Sequence, residues 1–179
     1  MYNKAVLKLL ALTLIAAALL GLVAGCGGSS SEGSLEEQRE AFLQWEREVT
    51  SLHQIADEAS VKHDEILAAL GAGEIDEYEA YSEISDVKKI IDNAWHNLSK
   101  VEAGESLSQE RIKQLNAAMS DLTTGLYSKI GGMEKVLEFL DDQKPSLIEE
   151  AQDKFKMANS FMMDGIGKYI EVKVDLGLE

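Results

Sequence analysis

From Leu35 to Ile170 the apolar residues recur at alternating steps of three and four, the period of helices that bury one face. The first seam runs Leu35, Phe42, Trp45, Val49, Leu52, Ala56, Ala59, His63, Ile66 and Leu70, with Gln38 as a polar gap near its start. Ser34 followed three residues on by Glu37 predicts a capping box. Gly71-Ala72-Gly73 predicts its end, because glycine tolerates the left-handed cap conformation. A second seam holds Ala80, Ile84, Val87, Ile91, Ala94, Leu98 and Val101, flanked by Tyr81 and Trp95 and started by Asp76 with Glu79.

Ala103-Gly104-Glu105 is the next expected turn, with Ser106 and Gln109 capping a third helix. That helix carries Ile112, Leu115, Met119, Leu122, Leu126, Ile130, Met133, Leu137 and Leu140. The two steps of four from Leu122 to Ile130 read as a stutter. Gly131-Gly132 follows directly, which marks a point where the helix could kink or break. Pro145 suits the first turn of a fourth helix, whose seam is Ile148, Ala151, Phe155, Ala158, Met162, Ile166 and Tyr169 or Ile170. Four amphipathic segments with short turns predict an all-α fold, an antiparallel up-down-up-down four-helix bundle over residues 34–171. In residues 172–179 the period changes to two: Val172, Val174, Leu176 and Leu178 alternate with Lys173, Asp175, Gly177 and Glu179. That tail reads as a frayed helix end or as a strand offered to a partner's sheet edge.

The N-terminus follows a different pattern. Lys4 and Lys8 lead an apolar run that ends at Ala24, the arrangement of a secretory signal peptide. A spanning helix of about 20 residues is the rival reading, and the end of the run decides between them. Val23-Ala24-Gly25-Cys26, closing on the only cysteine in the chain, resembles the lipobox of bacterial lipoproteins. The resemblance covers residues 1–26. It implies that Cys26 receives a diacylglycerol thioether and further acyl chains such as palmitate, and that a signal peptidase removes residues 1–25. Two or three acyl chains hold a protein stably on a membrane where one would not. Residues 26–33 then form the lipidated cysteine and a Gly/Ser tether with a reach of about 15 Å. Lipidation would consume Cys26, so no disulfide is expected.

Charge narrows the partners. The whole chain carries −15 at pH 7, and residues 1–25 hold two of its 17 Lys and Arg but none of its 32 acids. The remaining domain is thus still more acidic, which argues against nucleic acid and against an electrostatic grip on anionic lipid. One proline and 45% hydrophobic residues favour long helices around a real core.

His63 lies on the apolar seam of the first helix, and counting back from the 71–73 turn sets it level with Tyr81. A buried imidazole needs partners for its nitrogens, here the Tyr81 hydroxyl, a neighbouring carboxylate or, alternatively, a metal or haem. Phe42, Trp45, Trp95, Met119, Phe161, Met162 and Met163 are expected to converge near Gly125 and Gly165, either as an adaptable apolar pocket or as small-against-large packing. An acidic crown is expected at the end far from the anchor, from Glu74, Asp76, Glu77, Glu79, Asp141, Asp142, Glu149, Glu150 and Asp153. No EF-hand spacing, Glu-x-x-His pair, His-Glu-x-x-His, phosphate loop or nucleophile motif occurs. The expectation is a lipid-anchored, extracytoplasmic, non-enzymatic interaction or scaffold module at a bacterial envelope, on the cell membrane or, in a host that has one, the outer membrane. It needs no cofactor or metal and meets an envelope protein. The alternative is a carrier holding an apolar ligand, haem or metal inside the bundle.

Overall fold

The computed structural model describes residues 32–178, and these are all-helical, with no strand among them. The signal-peptide run and Cys26 lie outside the described residues. Four helices follow in order: α1 (Leu35–Ala72), α2 (Glu77–Leu98), α3 (Gln109–Asp142) and α4 (Pro145–Asp175). None of them is long and apolar enough to cross a membrane. Each packs on the next in sequence, and the α3–α4 contact is the most extensive.

The start of α1 matches the sequence. Ser34 Oγ accepts from the Glu37 backbone N–H while the Glu37 carboxylate accepts from Ser34 N at 2.7 Å. Those bonds hold the Glu37 carboxyl below its usual range. The helix ends on Gly73 at φ 73°, a conformation that costs a residue with a Cβ more than it costs glycine.

The seam of α1 differs in its first turn. Leu35 is exposed and Gln38 is buried. The Gln38 amide stays inside because it is bonded at both ends: Nε2 donates to Gly33 O, and Oε1 accepts from Ser108 N and Arg111 Nη1. Burial of a polar group is tolerated when its hydrogen bonds are replaced in this way. Nearby, Gly33 N donates to Ser106 O at 2.9 Å and Arg39 Nε to Leu176 O at 2.7 Å. The start of α1, the α2–α3 loop and the end of α4 therefore meet at one place. At another, Gln143 Nε2 donates to Glu77 Oε1 and joins the end of α3 to the start of α2.

The cap of α3 is Ser108, which accepts from Arg111 N, and not Ser106. Between them Leu107 is buried in the core, so the loop must turn inward before the helix starts. Gly131 and Gly132 do not break α3, which is continuous to Asp142. Its buried face is wider than one seam, adding Ala118, Gly125, Lys129, Gly132 and Val136.

That second face explains the intimacy with α4. Ala118, Gly125 and Gly132 recur every seven residues, as do Ala151, Ala158 and Gly165 on α4. A Cβ on Gly125 would stand 2.7 Å from Met162 and 3.1 Å from the Ala158 carbonyl oxygen. One on Gly165 would stand 2.9 Å from the Ala118 carbonyl oxygen, and one on Gly132 would meet the Phe155 ring at 2.6 Å. Small residues let the two backbones approach until carbonyls and neighbouring side chains fill the space a side chain would occupy.

The buried line of α4 also differs from its expected seam. Leu147, Ala151, Ala158, Met162, Gly165 and Val172 are buried, whereas Ile148, Phe155, Ile166 and Tyr169 are half-buried and Ile170 is exposed. Residues 172–175 continue the helix, so neither a frayed end nor a strand is found there. Val172 and Leu176 are fully buried, four residues apart on one helical face. Two registers fit the same alternation, and the core selects the helical one.

Candidate functional site

The expected apolar convergence does not form a pocket around its glycines. Met162 fills the space beside Gly125, and Leu122 fills that beside Gly165. Phe42, Trp45 and Tyr169 make one aromatic group, with ring centroids 6.0 and 5.8 Å apart in sequence. Trp95 belongs to another, with Tyr127 at 5.8 Å and His96 at 4.6 Å. Met119 and Phe161 are half-buried and Met163 is exposed. The set is ordinary core and surface, with Phe42 and Trp45 in one aromatic group and Trp95 in the other.

The acidic crown is largely engaged with its own chain. Asp76 accepts from Glu79 N as the cap of α2, and Glu77 accepts from Gln143. Asp142, Glu150 and Asp153 sit 2.8, 3.5 and 3.4 Å from Lys144, Lys135 and Lys156. These are exposed pairs of small energetic weight. Among the described residues no group of three His, Cys, Asp or Glu could hold a metal ion.

His63 is where polar chemistry enters the core. It is buried on α1, with its ring 5.4 Å from that of Phe155. Its partner is the adjacent Asp64 carboxylate, 3.1 Å from Nδ1, and Tyr81, 36% exposed, is not brought to it. Burial favours the neutral imidazole, and a carboxylate only accepts, so in that form Nδ1 carries the proton and Nε2 presents a lone pair. Nε2 is buried and has no hydrogen-bond partner.

Beside it stands a residue that lies off the apolar seam of α3, on its second buried face. Lys129, buried on α3, donates from Nζ to Ser60 Oγ at 2.9 Å and lies 3.8 Å from Asp57 Oδ1. Ser60 in turn donates to Ala56 O at 2.6 Å. Burial pushes the Lys129 amine below its usual range against the pull of Asp57 and Asp64. The signal was present in the chain. Ala118, Leu122, Gly125, Lys129, Gly132 and Val136 form an unbroken three–four series in which the lysine is the only charged member.

Ser60, His63 and Asp64 of α1, Lys129 and Met133 of α3, and Phe155 and Asn159 of α4 line a cleft of about 200 Å³. Burial pushes the His63 pKa down, the Asp64 bond and charge oppose this, and Lys129 adds to the lowering. The sign for stability follows. A base with a depressed folded pKa leaves stability intact above its unfolded value of about 6.5 and removes it as pH falls through the folded pKa. Unfolding free energy should therefore fall on acidification below about pH 6.5, by at most about 1.4 kcal/mol per pH unit from this group. Denaturant titrations of the protein and of His63→Gln at several pH values check this; equal slopes in that window would refute it.

No protein-family model, curated protein or solved structure matches the chain.

Proposed function

We propose that the protein is a lipid-anchored, extracytoplasmic lipoprotein whose helical domain works as a non-enzymatic interaction or scaffold module at the cell envelope. The observation that carries this reading is Val23-Ala24-Gly25-Cys26 at the end of the apolar N-terminal run. The helices in this reading form an antiparallel up-down-up-down bundle, with the tether at the end where Gly33, Ser106 and Leu176 meet. The acidic crown then faces away from the membrane. The filled seam between α3 and α4 supports a domain that offers surfaces rather than a large interior.

Cys26→Ser is the direct test. The natural chain should incorporate labelled palmitate and sediment with membranes, and the variant should do neither. A natural chain that takes up no palmitate would end the anchor reading. Cross-linking in the native host, followed by capture of the chain, addresses the partner; recovery of the chain alone would count against the scaffold role.

A carrier is the second reading, favoured by the cleft at His63. Its cargo is not a haem, which is far larger than about 200 Å³. Nor does a divalent cation suit a cleft that the Lys129 ammonium lines.

A further inference from the structure

We propose that the cleft between α1, α3 and α4 binds a small hydroxycarboxylate, its carboxylate on Lys129 and its hydroxyl on His63 Nε2. This inference does not depend on the lipid anchor. It starts from two polar groups that the fold buries without using fully. The ammonium of Lys129 has three donors, of which Ser60 Oγ takes one at 2.9 Å, while Asp57 at 3.8 Å stands beyond hydrogen-bond distance. His63 is 3% exposed, and its Nε2 has no partner at all. An unpaired buried acceptor costs about 1–3 kcal/mol, and a buried lysine adds its own desolvation cost. Sites that give up stability in this way are characteristic of function.

The chemistry of the two groups defines the ligand. Lys129 can only donate, so it requires an acceptor, best an anionic one. Nε2 can only accept while Nδ1–H is held by Asp64, so it requires an O–H or N–H. One molecule that carries both a carboxylate and a hydroxyl can offer each group its partner. The Asn159 side chain, which also lines the cleft, can donate or accept. Met133 and Phe155 supply apolar walls for the carbon skeleton.

Size agrees. A cavity of about 150 Å³ holds benzene, so about 200 Å³ takes a ligand of roughly six to eight heavy atoms. A phosphate dianion fits the charges less well, because one ammonium would face it together with Asp57 and Asp64. Those two carboxylates are 54% and 83% exposed, and water screens them from a singly charged ligand. Nε2 is closed to solvent, with the Phe155 ring 5.4 Å from the imidazole, so uptake requires side chains of the cleft wall to move.

Lactate is the probe, titrated into the full chain in detergent, with calorimetry for affinity and nitrogen NMR of His63 Nε2 for contact. Saturable binding is expected, with the Nε2 resonance moving as it accepts a hydrogen bond. Propionate, which lacks the hydroxyl, should bind about tenfold more weakly, the value of one such bond. Propylene glycol, which lacks the carboxylate, and Lys129→Met should show no binding. Lys129→Met is expected to fold, since it removes a buried charge and keeps the side-chain volume; circular dichroism verifies this. The analogue series on the natural chain stands even if that variant fails. Equal binding of lactate and propionate, an unmoved Nε2 resonance, or lactate binding by folded Lys129→Met would each overturn the assignment.

Discussion

Ending the chain after Glu171 is expected to lower the unfolding free energy by about 3–6 kcal/mol. The deletion removes Val172 and Leu176, each fully buried, and full burial of such side chains contributes about 1.5–3 kcal/mol apiece. It also removes the carbonyl that Arg39 Nε binds and the Lys173 ammonium that pairs with Glu46 at 2.8 Å. A domain of this size has about 5–15 kcal/mol in all, so the shortened chain should be partly unfolded at physiological temperature. Chemical denaturation of the two lengths measures it. Equal midpoints would mean that these residues are the loose tail their alternation resembles.

Gly165→Val is expected to cost about 3 kcal/mol, the upper part of the usual overpacking range. The clash cannot be relieved by a rotamer change alone, because one of the atoms in the way is the Ala118 carbonyl oxygen, at 2.9 Å from where a Cβ would stand. Gly167→Ala is the control, two residues along the same helix. Nothing lies within 4 Å of its Cβ position, so the better helix propensity should raise stability by about 1 kcal/mol. Opposite signs in thermal unfolding are the expected result. A stabilising or neutral Gly165→Val would show that α3 and α4 are not pressed together at this point.

Much of the helical order was legible because period, cap and turn agreed. Ser34 with Glu37, Asp76 with Glu79, Gly73 and Pro145 all mark the boundaries they were expected to mark. The readings that went astray did so where tertiary contacts chose between local options. Ser106 and Ser108 are equally good caps in isolation, and burial of Leu107 selects the second. Gly131-Gly132 reads as a breaker, yet an intact helix is what lets Gly132 receive the Phe155 ring. Leu35 and Gln38 exchanged places because the amide found one partner in Gly33 and two, Ser108 and Arg111, from a segment about 70 residues on.

The candidate site was half legible. His63 stood out as a polar residue on an apolar seam, and its burial and its carboxylate partner follow that reading, whereas Tyr81 is not brought to it. Lys129 did not stand out, because it lies on the second buried face of α3, off the line of large apolar residues. Helices that contact neighbours on two sides need both faces read.

The close seam between α3 and α4 also has a kinetic meaning. Only Gln143 and Lys144 separate the two helices, so bringing them together costs little chain entropy. Contacts near in sequence form early, whereas those from α1 to α3 and α4, such as Lys129 to Ser60 and Arg39 to Leu176, close much larger loops. The paired α3 and α4 are thus the expected nucleus, on which α1 and α2 condense. If so, Gly165→Val slows refolding as well as hastening unfolding, and the cleft at His63 is among the last places to be assembled.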